Sequence, residues 1–137
     1  MVLAEKQREE IAAVAKKYNL ELVLLFGSAV KGFTHVKSDL DIAVLSRGKS
    51  NVYSKLVEAL SKALGVEFGR IDLSFIQGAD PLFLKHISDN FQVLYGDARA
   101  VAEFRLRAFH RYEDYRSYLQ QEKEAVQRFV REMSYAH

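Results

Sequence analysis

Two apolar runs separated by a polar hinge constrain this chain more than any other feature. Leu20-Glu21-Leu22-Val23-Leu24-Leu25-Phe26 runs into Gly27-Ser28, and ten residues later Asp39-Leu40-Asp41 opens Ile42-Ala43-Val44-Leu45. Each run is rich in Leu and Val, too short for a globular helix, and bounded by turn residues, which predicts buried strands over Glu21–Phe26 and Leu40–Leu45. Gly27 lets the backbone approach a bulky ligand. Ser28 and the neighbouring amides then offer donors at the start of a short helix, a ready place for phosphate oxygens.

Strand side chains alternate, so Asp39 and Asp41 share one face while Leu40 and Ile42 share the other. Two adjacent carboxylates repel and need a compensating cation. Mg²⁺ takes oxygen ligands, commonly one or two carboxylates together with nucleotide phosphates. The stretch therefore combines a turn for phosphate with a platform for metal.

G-S-x10-D-x-D resembles the signature of the nucleotidyltransferase superfamily that includes DNA polymerase β. At average composition such a match arises by chance in roughly a few in a thousand chains of this length, too rarely to dismiss.

The rest of the chain accommodates that core. A length of 137 residues suits a single domain. Nearly half of the residues are hydrophobic and one is proline, which excludes a disordered or low-complexity class. The absence of cysteine excludes disulfides and thiolate metal sites and fits the cytoplasm. Leu22–Phe26, the longest apolar run near the N-terminus, is too short for a membrane span or a signal-peptide core, so no membrane association is expected. A net charge of +2 gives no case for direct nucleic-acid binding.

Residues 2–18 read as a helix with Leu3, Ile11, Val14, Ala15 and Tyr18 on its core face and Asn19 as a left-handed stop. A helical turn over 28–31, closed by Gly32, brings Asp39 back beside Ser28. Lys31 and Lys37 could reach phosphate there or simply be solvated, and His35 reads as a loop residue. Arg47 and Lys49, in the polar connection after the second strand, carry the same ambiguity. Ser50 or Asn51 caps a helix to about Leu64, which Gly65 ends.

Arg70–Ile76 alternates as a third strand with Ile71, Leu73 and Phe75 on one side and Asp72 with Ser74 on the other. Asp72 is a candidate third ligand. Asp80-Pro81 starts a helix to about Ser88, where His86 reads as a surface or packing residue. Phe91–Tyr95 forms a short fourth strand ending at Gly96, and Asp97 caps the helical remainder. The expected fold is α/β of the α+β type: a small mixed sheet of about four strands flanked by helices. Residues 1–96 form the core and 97–137 a helical extension, within one domain.

In that extension Val101, Phe104, Ala108, Tyr112, Tyr115, Leu119, Val126, Phe129 or Val130, and Met133 form an apolar stripe. The stripe weakens over Gln120–Lys123, where the sequence allows a bend or break as well as a continuous helix. Its second half either folds back as a hairpin or serves a partner or self-association. Arg105, His110 and Tyr112 match the R-x4-H-x-Y pattern of HEPN ribonucleases. That match is rejected, because HEPN domains are all-helical bundles and residues five apart lie off a common helix face. A basic face of Arg107 and Arg111, serving nucleotide or partner, is the milder expectation.

With its small size and helical tail, the chain resembles the minimal nucleotidyltransferase (MNT) family over about residues 1–120. The resemblance implies catalysis by Asp39, Asp41 and Asp72, which would also ligate two Mg²⁺ ions, with nucleotide binding at Gly27 and Ser28. It implies ATP as substrate and a HEPN-type ribonuclease toxin as partner, neutralised by transfer of AMP to a toxin tyrosine. Two alternatives stand beside it: transfer to a small-molecule hydroxyl of the aminoglycoside type, and an antitoxin acting by contact alone.

Overall fold

In the computed structural model, residues 1–31, 39–48 and 52–135 are described. The chain begins with helix α1 (Glu5–Lys17) and strand β1 (Leu20–Phe26). Gly27–Lys31 follows as a short 3-10 stretch, then β2 (Leu40–Ser46) and α2 (Tyr53–Leu64). After these come β3 (Ile71–Phe75), α3 (Pro81–Asp89), β4 (Phe91–Tyr95) and α4 (Ala98–Tyr135). The strands make one four-stranded sheet in the order β3-β2-β1-β4. β1 is antiparallel to both β2 and β4, and β2 is parallel to β3. This is the expected mixed sheet with helices. Parallel strands need a long crossover, and α2 supplies it.

Both faces of the sheet are covered, which explains why β1 and β2 read as near-continuous apolar runs. On one face Val23, Leu25, Ile42, Val44 and Leu73 pack with Ile11 and Ala15 of α1 and Leu56 and Leu60 of α2. On the other, Leu22, Leu24, Phe26 and Ala43 pack with Leu84 and Ile87 of α3 and Phe104 and Ala108 of α4. The two layers follow from the period-two alternation of β1 over Leu22–Phe26, beyond a register shift between Leu20 and Leu22.

The ends of the elements answer to their local chemistry. Asn19 adopts φ 54° after α1, and Gly65 is left-handed at φ 69° after α2, both as the sequence predicts. The Asp80 carboxylate accepts from the Phe83 amide at 2.9 Å, and Asp97 from the Ala100 amide at 2.8 Å. α1 starts at Glu5, three residues later than expected, with the Gln7 side chain accepting from the Ala4 amide at 2.9 Å. Gly32, His35, Lys37, Lys49, Ser50 and Asn51 lie outside the described residues.

α4 fills the remainder of the chain after Asp97, as expected, and decides between the two readings of its second half. It is one uninterrupted helix of 38 residues, with no break at Gln120–Lys123. Phe104 and Ala108 are buried in the core, Tyr112 and Tyr115 are half-buried, and the large apolar residues from Tyr118 to Met133 are all exposed. The hairpin is therefore excluded: the second half of the stripe projects from the core. By helical rise, Tyr115 to Tyr135 spans about 30 Å. No helix among the described residues is long and apolar enough to cross a membrane.

Candidate active site

The acids meet along the edge formed by strand ends, where β1 stops and β2 and β3 begin. Asp41 is the second residue of β2 and Asp72 the second of β3, and in the parallel pairing the two are direct register partners. Parallel neighbours lie about 4.8 Å apart. Asp39 immediately precedes β2. Across β1, Asp41 pairs with Phe26, so the strand register also fixes the approach of Gly27 and Ser28. Asp72 and Asp39 are exposed and Asp41 is half-buried.

Gly27 has φ 77°, a left-handed conformation that glycine adopts without penalty. A β-carbon built there would lie 2.5 Å from Asp41 Oδ2. The turn and the acid thus lie against one another, and a side chain at Gly27 would be strained and would displace the Asp41 carboxylate. Ser28 is exposed at the start of the 3-10 stretch, and Ala29 is buried beneath it.

Burial raises the Asp41 pKa from its ordinary value. The negative fields of Asp72 and Asp39 add to the effect, and His86 opposes it. This mutual repulsion is what the spacing of the acids predicts. Three carboxylates on adjacent strands, one of them desolvated and pressed by the others, are an oxygen donor set suited to a hard divalent cation. Among the described residues, no three His, Cys, Asp or Glu side chains form a set that could hold a metal ion as they stand. The acids share an edge without being drawn into a closed site.

His86 also comes to this edge. It projects from α3 onto this edge, its ring edge-on to Phe26 at 5.9 Å and 89° and beside Phe83 at 6.4 Å. Its exposure and its packing agree with the sequence reading of a surface or packing residue, but nothing local says which strand α3 crosses. Arg47 does not belong to the edge. It follows the far end of β2, about 20 Å from Asp41 by strand rise, and its guanidinium pairs with Glu21. A cleft of about 820 Å³, lined by Lys16, Glu21, Arg47, Tyr95, Arg99 and Glu103 among others, lies at that far end. It is an open groove of mixed charge and takes no part in the acid edge.

α4 is oriented by the same register. Phe91, opposite Phe26 in the β1–β4 pair, meets the Phe104 ring edge-on at 5.6 Å. Two turns later the Tyr112 ring lies beneath Lys85, the neighbour of His86, at 5.1 Å. α4 therefore runs from the Arg47 end of the sheet towards the acid end, and its exposed half leaves the core beyond Tyr115.

The family model described as Polymerase beta, Nucleotidyltransferase matches residues 9–100. The chain belongs to the polymerase β-type nucleotidyltransferase family. Among solved structures, this nucleotidyltransferase is similar to a toxin–antitoxin crystal structure with AMP-PNP, at 26% identity and a TM-score of 0.66, covering 90% of this chain and 97% of that one. A tri-AMPylated Shewanella oneidensis HEPN toxin in complex with MNT antitoxin matches at 23% identity and a TM-score of 0.60, covering 90% and 95%. An MntA–HepT toxin–antitoxin structure matches at 23% identity and a TM-score of 0.61, covering 93% and 98%. The last two bear on the fold of the nucleotidyltransferase alone. No curated protein gives a significant match. Family and neighbours are those to which the sequence resemblance pointed.

Proposed function

We propose that this nucleotidyltransferase is the antitoxin of an MNT–HEPN pair and transfers AMP from ATP to a tyrosine of a HEPN-type ribonuclease toxin in the cytoplasm. The observation that carries the proposal is the edge itself: Asp41 and Asp72 in register, with the Gly27 turn pressed against the Asp41 carboxylate. The solved toxin–antitoxin structures support the partner class, and AMP-PNP in one of them supports the nucleotide.

Asp39, Asp41 and Asp72 are the residues that would hold Mg²⁺, in two ions on the family pattern. When bound, the metal neutralises triphosphate charge and lowers the pKa of the attacking hydroxyl. Ser28 and the amides of the Gly27 turn orient the β- and γ-phosphates and leave the α-phosphorus open. The tyrosine oxygen forms a bond to that phosphorus as the bond to pyrophosphate breaks, and Asp72 takes the hydroxyl proton. Catalysis is then mostly positioning and charge neutralisation. Residues 1–96 carry the chemistry, and 97–137 pack on the core and carry contacts to the partner.

Neutralisation by contact alone is the second reading, favoured by the exposed apolar half of α4, which would grip a partner whether or not transfer follows. Incubating the protein with a HEPN-type ribonuclease, labelled ATP and Mg²⁺ separates the two. Label on a toxin tyrosine, with loss of ribonuclease activity, is the expected result. An inhibited but unlabelled toxin overturns the transfer reading in favour of contact.

A further inference from the structure

Resting on the nucleotidyltransferase reading above, we infer that His86 is a nucleotide-binding residue whose imidazole N–H donates a hydrogen bond to the triphosphate at the Gly27 edge. Its position carries the inference. The ring sits against Phe26, the residue directly before Gly27 and the register partner of Asp41. Phe26 and Phe83 also lie edge-on to one another at 5.7 Å, so the imidazole rests on a preformed aromatic pair. One side of the ring is thereby committed to packing, while the residue as a whole stays exposed. Among the described residues neither ring nitrogen has a hydrogen-bond partner.

An imidazole always has at least one N–H to give, whichever tautomer it adopts. The need for a donor is plain: three carboxylates repel a polyphosphate, and donors around the edge must offset that repulsion. A residue held by two aromatic neighbours gives up little conformational freedom when it binds.

The test is calorimetric titration of the full chain with Mg²⁺ and three probes: AMP-PNP, inorganic tripolyphosphate and AMP. His86→Ala should weaken AMP-PNP and tripolyphosphate together by roughly tenfold, the loss of one hydrogen bond to a charged group, and leave AMP unchanged. His86→Asn, which keeps a donor, should recover part of the loss, whereas His86→Phe, which keeps only the packing, should not. Unchanged thermal melting of the three variants marks the effect as local. Unaltered AMP-PNP binding with slowed transfer would place His86 on the acceptor and overturn the inference, as would equal losses for AMP. Wild-type protein that binds none of the three probes would instead sink the nucleotidyltransferase reading, and this inference with it.

Discussion

The Asp41 carboxylate fills the space that a β-carbon on Gly27 would need, its Oδ2 lying 2.5 Å from that position. Gly27→Ala therefore combines two costs, a left-handed backbone forced on alanine and a displaced carboxylate. We expect a loss of about 1–2 kcal/mol from the backbone conformation, with transfer falling further because Asp41 must move. Denaturant melts and an AMP-transfer assay measure the two separately. In an Asp41→Ala background the clash disappears and only the backbone part should remain.

Asp41 also predicts a pH dependence. Its folded pKa is raised, by burial first and then by Asp72 and Asp39. Between its ordinary value of about 3.9 and the raised one, the folded state keeps a proton that the unfolded state has lost. Stability is thus fully present below the ordinary pKa and declines as pH rises through the folded one. Asp41→Asn removes the decline. Without divalent cation or nucleotide, it should match wild type near pH 3 and exceed it at pH 7, while abolishing transfer. Denaturant midpoints across this range check it, and a gap that widens towards low pH contradicts the assignment.

Asp72 is exposed on β3, whereas Asp41 is half-buried. If Asp72 receives the hydroxyl proton, Asp72→Asn should slow transfer by about 10²–10⁴-fold with a much smaller change in Mg-AMP-PNP affinity. Asp39→Asn should weaken both. Single-turnover rates and calorimetry distinguish the pair, and equal losses in both measurements for Asp72→Asn would show that the roles are not divided.

Along α4 one side-chain type sits in opposite settings: Phe104 is 3% exposed and Phe129 63%. Phe104→Ala should cost about 3–5 kcal/mol of stability. Phe129→Ala should change it by less than about 0.5 kcal/mol and, if the projecting half grips a partner, should weaken that complex. Thermal melts and partner pull-down measure the two effects.

Much of this was legible in the chain because it is written locally. The strands followed from short apolar runs, the helix starts at Asp80-Pro81 and Asp97 from capping chemistry, and the pairing of acid and turn from a fixed spacing. That α4 is unbroken was not legible, because its apolar stripe fades at Gln120–Lys123 and periodicity alone does not tell a fading stripe from a bend. Those residues are good helix formers, and Tyr118–Glu122 and Gln120–Glu124 side-chain bonds span the region. Loss of core contact and loss of helix are different events. His86 was hidden for a different reason: only the packing of α3 across the sheet brings it to Phe26, and no local pattern encodes that. Arg47 was ambiguous because sequence proximity to β2 does not say which end of the strand carries the chemistry.

The pairing of Asp41 with Asp72 is held by a ladder of backbone bonds and owes nothing to loop conformation. Lengthening the connections on either side of α2 would leave these two acids abreast. Inserting a single residue between Ile71 and Asp72 would do the reverse: the newcomer would stand opposite Asp41, the acid would turn inward among leucines and Leu73 would turn outward. Evolution can thus rewrite the surroundings of this edge freely, but it can shift the third strand only in steps of two.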